Sequence, residues 1–203
     1  MEDRAKYSRV GYTRDQIDKI GNTIIYLAQY INDLTKTKVL KILFLLEEAS
    51  IKTTGQPFIG INFQLWKLGP VAKDVFIDLS SDESPALLHS YLERDPADNK
   101  IFRAKVPFNN DEFSVNDLRL MDTIIEFVKD KPAAYLIKHT HGPNSLWRRS
   151  AIQYGVLEAL EKELVNSTEY EVDFSLLFPN PSYLSERYAE SRENLQFIRT
   201  LKD

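Results

Sequence analysis

Residues 39–46 read Val-Leu-Lys-Ile-Leu-Phe-Leu-Leu, and no other stretch restricts the fold as strongly. A helix that is apolar nearly all round belongs in the middle of a core, with other elements wrapped about it. The run stops at Glu47, far short of the ~20 apolar residues a membrane span needs. Thr35 and Thr37 both suit the cap of a helix over 35–52, with Lys38 and Lys41 on its wetter side. Gly55, in Thr53-Thr54-Gly55-Gln56-Pro57, supplies a left-handed stop.

The elements around this helix follow from periodicity and punctuation. Thr13-Arg14-Asp15-Gln16 has the capping-box pattern. Ile17, Ile20, Ile24, Leu27 and Ile31 then recur at helical spacing to about residue 32. Residues 1–12 are polar and read as loose. Residues 58–66 alternate, with Ile59, Ile61, Phe63 and Leu65 on one face, which predicts a strand. Pro70 suits the first turn of a short helix ending near residue 80. A break over 81–85, helical turns over 86–92 and a second strand over 101–106 come next. Ser114 and Asp117 cap a helix striped by Leu118, Met121, Ile124, Ile125 and Val128. Shorter helical stretches are expected over 133–140 and 151–165, the latter with Ile152, Val156, Leu160 and Leu164 on one side. A last helix follows Ser182, with Leu184, Tyr188, Leu195 and Ile198 sharing a face. The reading is a mainly α protein with a small antiparallel β-sheet, an α+β fold. A compact helical domain spans 13–165, and a C-terminal extension with a final helix spans 166–203.

The 203 residues carry 30 acids against 26 bases, a net charge of −4, so nucleic acid is disfavoured as a partner. No cysteine is present, which removes disulfides, thiolate metal sites and a cysteine nucleophile. The amino terminus is charged and lacks a signal-peptide core, so a soluble, cytoplasmic protein with no membrane partner is expected. Seven scattered glycines form no phosphate-cradling loop, and no cofactor is expected. His139-Thr140-His141 is the one histidine pair. With His89 or a carboxylate as third ligand it could bind a metal, but on a helix the two rings diverge. Glu47-Glu48 reads as a solvated helix edge, since neighbours on a helix point ~100° apart. Arg148-Arg149 could meet an anion. Trp66 and Trp147 are the only tryptophans; each suits either a core or an interface anchor. Trp66 shares the face of Asn62 and Gln64, which tilts it toward exposure or a groove.

Three motifs then fall in order: Lys38-Val39-Leu40-Lys41-Ile42-Leu43-Phe44, Thr54-Gly55-Gln56-Pro57, and Trp66-Lys67-Leu68-Gly69-Pro70-Val71. Further on, a helix opens at Phe113-Ser114, and Thr140-His141 and Ser145-Leu146-Trp147-Arg148 follow. Together they resemble the Panacea, or SocA-like, antitoxin domain over roughly residues 17–155. Leu45-Leu46-Glu47-Glu48 departs from the family's usual residues, 81–110 carries no shared motif, and 166–203 lies outside the resemblance.

The resemblance implies a mostly helical fold around a small antiparallel sheet and a non-enzymatic role. It implies an antitoxin of a two-gene toxin–antitoxin system, often borne by phages and mobile elements, that neutralises its toxin by direct binding. Some such proteins act as adaptors that deliver the toxin to an AAA+ protease such as the ClpXP machine. The acidic net charge favours a basic toxin partner. Trp66, Lys67, Gly69, Pro70, Trp147 and Arg148 are the candidate partner-binding residues, with Tyr188 and Ile198 on the last helix. The alternative functions are a metal-dependent hydrolase or nuclease using His139 and His141, or a DNA-binding autorepressor. Neither has a complete set of residues in the sequence.

Overall fold

The apolar run lies where its pattern demands. In the computed structural model, which describes residues 12–81 and 87–200, it forms the centre of helix α2 (Lys36–Thr54). Val39, Ile42, Leu43, Phe44 and Leu46 are buried, and a strand, several helices and a 3₁₀ turn from across the chain pack against α2. Thr35 caps it by accepting from the Lys38 amide, and Gly55 ends it at φ 69°. Helix α1 (Arg14–Tyr30) precedes it, opened by the expected capping box of Thr13 and Gln16. The expectations for 1–11 and 82–86 lie outside the described residues; Tyr12, read as loose, is buried.

Strand β1 (Gln64–Trp66) pairs antiparallel with β2 (Gly69–Val71) across a two-residue turn. The strand expected over 58–66 is therefore shorter. Gly60 sits at φ 84°, and the amides of Ile59 and Gly60 donate to the Glu47 carboxylate, so neither is free for a neighbouring strand. Pro70 belongs to β2, at a sheet edge where a missing amide is tolerated, and not to a helix. Helix α3 (Lys73–Asp78) begins three residues later. Strands β3 (Leu92–Arg94) and β4 (Phe102–Ala104) form a separate hairpin against α1.

Helix α4 (Val115–Val128) opens with the Ser114–Asp117 capping box, and α5 (Ala133–His141) follows. The helix expected over 151–165 is two pieces, α6 (Leu146–Gln153) and α7 (Leu157–Glu161). Gly155 at φ 68° breaks it, and Ile152 and Leu164 are exposed. Strand β5 (Ser167–Glu171) then completes a three-stranded sheet in the order β2-β1-β5. Its sequence, Ser-Thr-Glu-Tyr-Glu, has no apolar alternation because almost every side chain is exposed. A 3₁₀ turn (Phe174–Leu177) tucks Phe174 against Phe44 and Phe63, and α8 (Tyr183–Thr200) closes the described chain. The architecture is α+β: eight α-helices with sheets of three and two antiparallel strands among the described residues.

Candidate functional site

The motifs that stand far apart in sequence meet in one place. The buried Lys41 amine of α2 donates to the Pro70 carbonyl of β2 at 2.9 Å. Gly69, between them, holds φ 96°. A Cβ there would meet Lys41 Nζ at 3.0 Å and Thr140 Oγ1 at 3.3 Å. The left-handed backbone favours glycine here, and a Cβ would crowd both side chains. Thr140 is held in turn by donating to its own helix's Leu136 carbonyl at 2.9 Å. His141 lies on the Trp147 ring, with centroids 3.9 Å apart. Burial lowers the Lys41 pKa from 10.5 to about 7 and lowers that of His141 as well.

This cluster corrects several sequence expectations. Trp147 is 0% exposed, and its indole nitrogen finds no acceptor among the described residues, so it is core and out of a partner's reach. Gly69 and Pro70 are buried too: the Lys67-Leu68 turn before them is at the surface, but the Pro70 carbonyl faces Lys41 and not solvent. Lys38 and Lys41 are not a wet side. Both are buried, with Lys38 reaching out to Asp33. Glu47 is no solvated edge either. Its two oxygens accept from the amides of Gly60 at 2.8 Å and Ile59 at 3.0 Å, and desolvation raises its pKa from 4.5 to about 7. Periodicity could not show this, because the loop that supplies these amides lies a dozen residues downstream.

The remaining candidates stand at the fringe. Trp66 is half-buried, bonded to Gln64 at 3.1 Å and packed edge-on to Phe76. Lys67 is paired with Glu163 and Arg148 with Glu161, while Arg149 donates to the Leu176 carbonyl. Tyr188 of α8 is half-buried over a cavity of about 170 Å³ that Glu47 and Asp173 also line, and burial raises its pKa to about 12. Ile198 shares the helix face of Leu184 and Leu195 by spacing but is 41% exposed. His139 and His141 have different neighbours: His139 lies beside Phe127 and Tyr135, His141 on Trp147. His89 is exposed. No group of three or more His, Asp or Glu among the described residues is placed to hold a metal ion.

A second site escaped the sequence reading. Helices α2, α4 and α5 and the loop after α5 enclose an open groove of about 710 Å³. Phe44, Leu45 and Ala49 of α2 and Ile124 of α4 line it. Its rim is a ladder of rings: Phe127 to His139 at 5.1 Å, Phe127 to Tyr135 at 6.2 Å, and Tyr135 stacked on His139 at 6.1 Å. Phe127 and Tyr135 are 37% and 39% exposed. Lys52 and Lys138 are both exposed beside it, and the single carboxylate, Glu48, is half-buried with its pKa raised by burial. The sequence signal was faint, since the three rings come from two helices.

The fold and these sites define a helix-rich α+β domain whose shared motifs form an internal joint and which carries an open groove rimmed by aromatic rings. The family model described as the antitoxin SocA-like, Panacea domain matches residues 39–148, just over half of the chain. The chain belongs to that family, as the motifs suggested. No curated protein and no solved structure matches it. No helix among the described residues is long and apolar enough to cross a membrane.

Proposed function

We propose that this protein is an antitoxin that neutralises a cognate toxin by binding it, and that it makes or breaks no covalent bond itself. The family match over residues 39–148 carries this reading. The geometry supports it: the motif residues nearest to catalytic types, Lys41, Thr140 and His141, are occupied in a packed joint, while an open aromatic groove lies beside them. Such a surface suits a protein partner, whose affinity rests on a few aromatic and cationic anchors.

Coexpression with the product of the neighbouring gene tests the reading. Growth arrest by that product alone, relieved when this chain is present, is the expected outcome. A harmless product, or toxicity that persists alongside this protein, removes the antitoxin function. The toxin's half-life in the same cells separates holding from delivery to an AAA+ protease. Direct neutralisation leaves it unchanged.

A further inference from the structure

The cations on the β1–β2 hairpin side and those at the groove are in different states. On the β1–β2 hairpin side Lys67 and Arg148 are each neutralised within the molecule, by Glu163 and Glu161. At the groove, Lys138 makes no ion pair among the described residues. Lys52 lies near Glu48, one turn back on α2, whose charge burial disfavours and which Arg149 also approaches. Lys131 adds a third cation, 5.4 Å over the Tyr135 ring. A chain of net charge −4 thus presents a cationic, aromatic-rimmed groove. Net charge governs approach from afar, but within a Debye length of about 8 Å the local charges decide what docks.

Where the groove sits also matters. Its lining residues run from Phe44 to Ser145 and fall entirely inside the matched stretch 39–148. It is built by the domain that defines the family, without help from β5 or α8. Its volume, about 710 Å³, is within the roughly 300–1,000 Å³ of concave binding sites.

We infer that this groove is where the toxin docks, and that it takes an amphipathic segment bearing carboxylates. Apolar side chains of that segment lie on Leu45 and Ile124, flanked by Phe127 and Tyr135, and its acids meet Lys52 and Lys138. This rests on the toxin-binding reading above and adds to it the site and the chemistry of the bound segment. It departs from the basic partner that net charge alone favours, because the groove's own lining carries two exposed lysines against a single half-buried carboxylate.

The experiment is calorimetric titration of the purified neighbouring gene product into the full chain and three variants. Phe127→Ala combined with Tyr135→Ala is expected to weaken binding by about 30-fold or more, the scale of a truncated hot spot. Lys52→Glu with Lys138→Glu is expected to weaken it about tenfold and to reverse its salt dependence. Phe197→Ala, on the exposed face of α8, is expected to bind as the unmodified chain does. All four substituted groove residues are exposed, and matching thermal melts verify the fold. Hydrogen exchange on the unmodified complex gives a readout free of substitutions: slowed exchange over 124–145 is expected. If the complex forms but the groove variants bind normally, or the double glutamate variant binds more tightly, the groove inference is overturned while the antitoxin reading stands. If the unmodified chain forms no complex and gives no rescue, the antitoxin reading falls and the docking site with it.

Discussion

Burial moves the pKa values of two ionisable side chains, Glu47 and Lys41, from opposite sides to about 7. Glu47 titrates at about 7 in the folded chain against 4.5 ordinarily. It keeps its proton when folded and loses it when unfolded, so its contribution to stability is full below pH 4.5 and drains away as pH rises to 7. Lys41 titrates at about 7 against 10.5. Its buried charge penalises the fold fully below pH 7, and that penalty is relieved as pH rises toward 10.5. Together the two groups place a minimum of stability near pH 7, each limb with a limiting slope of ~1.4 kcal/mol per pH unit. Urea denaturation across pH checks this against isosteres. Relative to the unmodified chain, Glu47→Gln is expected to gain stability between pH 4.5 and 7. Lys41→Met is expected to lose ground between pH 7 and 10. Parallel curves for variant and parent would remove the shifted residue from the account.

Helix α8 is the element whose seat is most demanding. Its backbone passes so close to the end of α2 that a Cβ on Gly55 would lie 2.6 Å from the Leu184 carbonyl oxygen, and one on Gly60 would lie 2.8 Å from Leu195. Both glycines also have positive φ. Gly55→Ala therefore adds a collision with backbone to the ~1 kcal/mol of a left-handed alanine, for a loss of about 2 kcal/mol or more. Gly155→Ala has the same backbone strain, at φ 68°, with open space around it, and is expected to lose only the conformational part. Denaturation midpoints compare the two, and amide exchange in α8 should quicken for Gly55→Ala alone. The Thr54-Gly55-Gln56-Pro57 motif was legible as a helix stop. That it also forms the floor for a helix more than a hundred residues later was not, because a close approach leaves no periodic trace.

At the scale of the whole molecule, residues beyond 165 complete a sheet that begins a hundred positions earlier. β5 pairs with β1, the Val172 amide donates to the Phe63 carbonyl at 2.7 Å, and Phe174 packs on Phe44. A chain ending at 165 is expected to lose cooperative melting and to precipitate, because it bares the β1 edge and the Phe44–Phe63 contact. One ending at 180 keeps β5 and Phe174 and is expected to melt cooperatively at a lower temperature. Thermal melts and size-exclusion chromatography of both truncations test where the folding unit stops.

By itself the sequence determined the central helix, its caps and stop, the capping boxes of α1 and α4, the α+β class and the family. Each of these is written in local periodicity or in short motifs whose order survives. Tertiary structure alone decided which charged residues are inside, that Trp147 is core and Trp66 its half-buried counterpart, and that a polar stretch is a strand. It also decided that Phe127, Tyr135 and His139 line one groove. The reason is physical: the burial of a lysine or glutamate depends on whether a distant segment brings it a hydrogen-bond partner. A groove exists only in the space between helices that have already packed.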